Sequence, residues 1–164
     1  DSGKLVVNEE AGGVIETLLH EGLHMATDHG DETKPDGELV HHLGIEEVHL
    51  DPDTRDIHEV SNLGLNEGIT EMFTRQSAAN MGVSDISIAY PSEVAVAQSL
   101  SDLVGEDVLK EAYFNSDIEG LRTSVDSRLG DGAFEMISML MDYGAPDAAM
   151  TIVQNGIPAD EEAI

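Results

Sequence analysis

Cysteine is absent from the 164-residue chain. Disulfides, CxxC zinc sites, iron–sulfur clusters and thiol nucleophiles are therefore excluded together. Basic residues are almost as scarce: seven lysines and arginines stand against 34 aspartates and glutamates, for a formal net charge of −27. A field of that sign repels nucleic acid and anionic membranes, so neither is an expected partner. Aromatic residues make up 4% of the chain, so the core must be aliphatic, built from Leu, Ile, Val, Met and Ala. No apolar run approaches the length of a membrane span. The opening residues, DSGKLVVNEE, carry neither a basic n-region nor an apolar h-region, so no signal peptide is expected in them. Also missing are a GxSxG elbow, a P-loop and a GxGxxG following a strand.

The acidic residues that dominate are spread along the whole chain and form no single block. That distribution reads as a strongly solvated surface, such as a salt-adapted or extracellular protein carries. The sharper alternative is a DNA mimic or an inhibitor of a basic partner, which would fold without metal.

The length suits one domain with a real core. It is read as a single unit over 1–164, with a first half (1–80) and a helical second half (81–164). Residues 4–7 could form a short strand. A helix is expected from about Glu10 to Asp28, with Val14, Leu18, Leu19 and Leu23 recurring at helical spacing and Gly12–Gly13 loosening its start. The breaker-rich stretch 28–38 reads as a loop, 38–50 as short strands or a short helix, and 51–62 as loop again. A second helix is expected from Leu63 or Leu65 to Asn80. Beyond Gly82 the chain reads as helices near 91–104, 106–115, 117–129, 131–143 and 145–155. Gly105, Gly130, Gly144 and Gly156 close them, and Pro91 and Pro146 occupy first turns. The fold class expected is mostly α, with a minor β component.

Within the first helix stands HEGLH, residues 20–24. Residues four apart share a helical face, so His20 and His24 can aim imidazole nitrogens at one ion. Glu21 is rotated to the side, where its carboxylate can reach a water on that ion without occupying a coordination position. The competing reading is a polar helix face with two histidines by chance. Burying such histidines unpaired in an otherwise aliphatic helix is costly, and a metal would remove that cost.

Two histidines do not hold a catalytic zinc, because such sites take three protein ligands. The extended pattern HExxHxxGxxH fails: the sequence reads HEGLHMATDHG, with Gly and His at the wrong offsets. His29, His41, His42, His49 and His58 lie in loop-like or ambiguous stretches without a helical partner at ligand spacing. The second helix, LGLNEGITEMFTR, offers Glu67 and Glu71 at i, i+4, while Leu65, Ile69, Met72 and Phe73 can pack elsewhere. Stacked acids repel each other, and a cation shared with the first helix would compensate. On spacing alone, either glutamate could be the ligand.

HEGLH followed by NEGITE resembles the gluzincin branch of the zincin metallopeptidases, over roughly residues 14–79. The resemblance implies Zn2+ held by His20, His24 and Glu67, with Glu71 hydrogen-bonded to a ligand histidine. It implies hydrolysis of a peptide or protein substrate by a metal-activated water, with Glu21 as general base. It also implies a Tyr or His that steadies the oxyanion. Tyr90, at a loop-to-helix junction, is favoured over Tyr113 for that role. Larger gluzincins place a sheet before the HExxH helix; here only residues 1–10 precede it, so a minimal sheet would come from 38–50 or lie outside this sequence. The alternative in a different class is a non-catalytic, zinc-stabilised acidic binding module or degenerate peptidase. Asp51 and Asp53 hint at a calcium loop, but Arg55, Asp56 and Asn62 break the EF-hand pattern.

Overall fold

The computed structural model describes residues 9–83 and 89–157. Its elements run α1 (Glu9–Ala26), β1 (Asp28–Thr33), β2 (Leu39–Leu43), β3 (Glu46–Leu50), β4 (Ile57–Ser61), α2 (Leu63–Asn80), α3 (Pro91–Val104), α4 (Glu106–Asn115), α5 (Ile118–Leu129), α6 (Ala133–Asp142) and α7 (Pro146–Asn155). The fold is thus mostly helical, an α+β arrangement with one small antiparallel sheet. The strand considered at 4–7 lies outside the described residues.

Punctuation residues set the helical half. Gly105, Gly130, Gly144 and Gly156 follow helix ends with φ between 69° and 107°, a region closed to most side chains. Pro91 and Pro146 sit in first turns, where a missing N–H costs nothing. The Asp117 side chain accepts the Gly120 N–H at 3.1 Å and caps α5.

The core lies within α2–α7, joined by Ile45 of the β2–β3 turn. Leu65, Ile69, Met72 and Phe73 of α2 meet Val96, Ala97 and Leu100 of α3, Tyr113 of α4, Leu121 and Val125 of α5, and Phe134 and Ile137 of α6. Helix α1 stands at the margin. Its Leu23 packs against this core, whereas Val14, Leu18 and Met25 are 59%, 68% and 80% exposed. The apolar repeat read from Val14 and Leu18 therefore faces outward. A Cβ on Gly13 would meet nothing, so that glycine admits no close neighbour.

The sheet corrects the reading of 28–38 and 51–62 as loops. Four strands form a meander in the order β1-β2-β3-β4. β1 and β4 are the edges, and most of their residues are exposed on both faces. Polar pairs stitch it together. Asp31 and His41 stand directly opposite, with Oδ1 2.8 Å from Nδ1. His42 meets Glu32 at 3.2 Å, His49 meets Glu38 at 2.9 Å, and Arg55 pairs with Asp31. Cross-strand pairs of this kind support a sheet without hydrophobic alternation. The five histidines assigned to loop-like or ambiguous segments thus sit on strands: His29 in β1, His41 and His42 in β2, His49 in β3 and His58 in β4. Asp51 is committed to the β3–β4 turn, where its Oδ1 accepts the N–H groups of Asp53 and Thr54.

Candidate metal site

The face that α1 turns inward is polar. Glu16, His20 and His24 follow one another at intervals of four, so they line one side of the helix. The C-terminal end of α1 is tied to the β2–β3 hairpin, because the Gly44 N–H donates to the Thr27 carbonyl at 2.8 Å.

Helix α2 is held more tightly, and each residue of Asn66–Glu67–Gly68 has its own task. Asn66 Oδ1 accepts the Ile45 N–H at 3.1 Å, joining α2 to that same hairpin. Gly68 lies against α3: a Cβ there would come within 2.6 Å of the Glu93 carbonyl oxygen. Glu67, between them, points at α1. The start of α2 is fixed from α6, where Asp142 accepts the N–H groups of Asn62 and Gly64 at 2.9 and 2.8 Å. Those donors have no partner inside the helix. Asn62, at φ 64°, also donates its side-chain amide to the Ile45 carbonyl.

These anchors bring three side chains to one point. His20 Nε2 and His24 Nε2 are 3.1 Å apart. Glu67 Oε2 is 3.2 Å from His20 Nε2, and Glu67 Oε1 is 3.4 Å from His24 Nε2. Zinc bonds of 2.0–2.1 Å at tetrahedral angles require ligand atoms about 3.3–3.4 Å apart. The three separations, of which the two to Glu67 involve different carboxylate oxygens, lie at or within about 0.3 Å of that spacing, so the residues are close enough to share a first-row divalent ion. Among the described residues, His20, His24 and Glu67 are the group able to hold a metal.

The electrostatics follow from the crowding. Hydrogen bonding to His24 holds the Glu67 carboxyl below its ordinary range, against the opposing effect of burial. The same contact raises His24, again against burial. Glu71, one turn on, is fully buried and takes a different place from Glu67: its Oε2 lies 3.4 Å from His20 Nδ1, the ring nitrogen turned away from the cluster. Burial, with Glu16 close by, pushes the Glu71 carboxyl up.

Tyr90 is the tyrosine that reaches the site. It caps α3 in the left-handed region, φ 54° and ψ 49°, a conformation costing a non-glycine residue about 1–3 kcal/mol. Its ring stacks beside His20, with centroids 6.3 Å apart and planes 25° from parallel. The carboxylates around it, Glu67 foremost, push its hydroxyl pKa up, so the group stays a proton donor. Tyr113 is fully buried, its hydroxyl 2.7 Å from Thr70 Oγ1, and is a core residue. Tyr143 is 81% exposed at the end of α6. Glu21 is exposed on the flank of α1 and shares a cavity of about 190 Å³ with His20, Glu71 and Tyr90.

Three residues of the site carry no mark in the sequence reading. Glu16 could have been found from its spacing to His20. Glu46, nearly buried at the start of β3, lies close enough to Glu67 and His24 to interact electrostatically, and burial raises its pKa. Asp142 is 80 positions from the Asn62 N–H that it accepts. No local spacing announces either of these two.

Compared with protein-family models, curated proteins and solved structures, the chain finds no match.

Proposed function

We propose that the protein is a zinc-dependent peptidase of gluzincin type, acting on peptide or protein substrates. The observation that carries the reading is the convergence of two helices: His20 and His24 from α1 and Glu67 from α2 bring imidazole nitrogens and a carboxylate within 3.1–3.4 Å of one another, close enough to share one zinc ion. A zinc ion held there would supply Lewis-acid activation of a water molecule and of the scissile carbonyl.

The chain's own residues supply the rest. Glu21, beside His20 on the cavity wall, takes the proton from the attacking water and delivers it to the leaving amine. The Tyr90 hydroxyl, kept protonated by the acids around it, donates to the oxygen on which charge develops. Glu71, against Nδ1 of His20, fixes the ring so that Nε2 carries the lone pair toward the cluster.

One observation favours a second reading. Helix α1 turns Glu16, His20 and His24 inward and only half-buries Ile15, Leu19 and Leu23, while Val14, Leu18 and Met25 stay outside. A metal whose only task is to fasten α1 would make the protein an acidic binding module. The variant Glu21→Gln separates the two readings. In the peptidase it retains zinc and loses hydrolysis of a quenched-fluorescence peptide library by two orders of magnitude or more. Retained turnover in that variant excludes the mechanism.

A further inference from the structure

We infer that the groove between β4 and α6 is a docking site for an extended, basic segment of a partner protein, which joins the sheet as a further strand on the free edge of β4. The inference is independent of the peptidase reading, because the groove shares no residue with the metal cluster.

β4 (Ile57–Ser61) closes one side of the sheet. Outside its ladder with β3, it makes no main-chain hydrogen bond among the described residues. In an antiparallel pair, alternate residues send their N–H and C=O groups away from the partner strand, so β4 presents a row of unused donors and acceptors. The other edge, β1, is interrupted: Gly30 has φ 76°, and the register shifts between Asp28 and Gly30. An irregularity of that kind spoils strand addition. In β4 the register shift lies at the Ile57 end, and Glu59, Val60 and Ser61 pair regularly with β3.

A cavity of about 480 Å³ runs beside those three residues, and α6 forms its opposite wall through Glu135, Ser138 and Met139. Successive side chains of a strand point to opposite faces. A cavity that touches three residues in a row therefore follows the edge of the strand, where an added strand would lie. Ser138 donates to Asn62 Oδ1 and so ties α6 to the residue that follows β4. On α6, Met136, Met139 and Tyr143 recur at helical spacing and are exposed, as is Val60 on β4. These offer apolar contact to the side chains of a guest, and methionine adapts to varied shapes.

Charge selects that guest. No lysine or arginine lines the groove. Of its acids, Asp142 accepts N–H groups at the start of α2 and Glu135 pairs with Arg122. Glu59 is exposed and forms no ion pair among the described residues. It is also the middle residue of β4. A second copy of the chain, added edge to edge about a two-fold axis centred there, would place Glu59 opposite itself, and like charges so placed destabilise a sheet. The edge is thus guarded against its own copy and open to a strand that brings a lysine or arginine opposite Glu59. The field of a chain of charge −27 draws such a segment in.

Synthetic heptapeptides titrated into the full chain at physiological salt test this, following the NMR signals of Glu59, Val60, Met139 and Tyr143. One peptide alternates valine with lysine, and another alternates valine with glutamate. Two further lysine peptides carry N-methyl groups on one or the other alternate set of residues. The unmethylated lysine peptide is expected to saturate these signals and to bind about tenfold or more tighter than the glutamate peptide. Methylating the set whose N–H groups face β4 removes the hydrogen bonds of the added strand, so one methylated peptide is expected to bind about tenfold or more weaker than the other. Glu59→Lys should cut the preference for lysine over glutamate by about tenfold. Affinities should agree with zinc supplied and in chelator. Two methylated peptides that bind alike would reduce the contact to charge attraction and overturn the inference. Binding that vanishes in chelator would also overturn it, by placing the peptide at the metal cluster. So would concentration-dependent broadening of these same signals in the chain alone, which makes a second copy the occupant. The wild-type panel decides even if the variant does not fold.

Discussion

Gly68 packs directly beneath the main chain of Glu93: any side chain at 68 would press within 2.6 Å of the Glu93 carbonyl oxygen. Glu93 lies in the first turn of α3, three residues after Tyr90. The glycine next to Glu67 therefore also sets how near Tyr90 comes to the His20–His24–Glu67 cluster. Gly68→Ala forces α3 outward and is expected to destabilise the fold by about 1–3 kcal/mol, the usual cost of overpacking. It should lower kcat more than it lowers zinc content, because Glu67 stays on α2 while Tyr90 moves. Parallel thermal unfolding, elemental analysis and steady-state kinetics read the three effects.

Tyr90→Phe removes a hydroxyl and leaves the ring against His20. The expected outcome is intact zinc binding with kcat reduced about 10²–10³-fold, the cost of one oxyanion donor. Tyr113→Phe is its control. That hydroxyl contacts Thr70 in the core, so its loss should reduce stability and leave kcat per folded molecule unchanged.

Chelation should act on one helix. Helix α1 contributes Leu23 to the margin of the core, half-buries Ile15 and Leu19, and turns Glu16, His20 and His24 inward. Removing zinc held at about 100 times its Kd withdraws about 2.7 kcal/mol from the states that bind it. Hydrogen exchange of the α1 amides is therefore expected to accelerate strongly, while those of α2, α3 and α6 change little. Uniform acceleration across all helices would show that the metal supports the whole core.

Stability of the metal-free chain should peak on the acid side of neutrality. Burial raises Glu46 above its ordinary 4.5. Such a group favours folding fully below pH 4.5 and loses that contribution as pH rises through its folded pKa. Pairing lowers Glu67 below 4.5 and raises His24 above 6.5. The Glu67 contribution is lost as pH falls through its lowered value, and the His24 contribution as pH rises through its raised one. Both are complete between pH 4.5 and 6.5. Asp31, lowered by Arg55 and then His41, and Asp51, lowered by the Thr54 and Asp53 N–H groups, contribute above 3.8 and fail as pH falls through their folded values. The Tm measured in chelator is thus expected to rise from pH 8 toward pH 5–6 and to fall below pH 4. Relief of repulsion on a chain of charge −27 reinforces the first limb.

The helical half was legible in the sequence because its signals are local. Gly105, Gly130 and Gly156 each close a helix with positive φ, and the expected boundaries agree with the observed ones within two residues. Of the sheet, 38–50 was open to reading as strands, where β2 and β3 lie, but β1 (DHGDET) and β4 (IHEVS) were not legible, because they bury almost nothing and are held by partners elsewhere in the sheet. Hydrophobic periodicity has nothing to register there, and turn-forming residues dominate the reading. At the site, His20, His24, Glu67 and Glu71 were visible because each pair lies one helical turn apart. Spacing left Glu67 and Glu71 interchangeable; their places on opposite nitrogens of His20 come from how the helices cross. The outward turn of Val14 and Leu18 went unseen for the same reason: which stripe of an amphipathic helix faces in depends on what it meets.

The central claim is that two histidines and one glutamate hold a metal for hydrolysis. Its most direct test is the metal content of the purified chain by elemental analysis, alongside His20→Ala, Glu67→Ala and Glu71→Ala. The account requires about one zinc per chain, lost with His20 or Glu67 and largely retained, at about 10–100-fold weaker affinity, with Glu71. A folded wild-type chain that binds no metal even when zinc is supplied, or one whose zinc survives loss of Glu67, would contradict it.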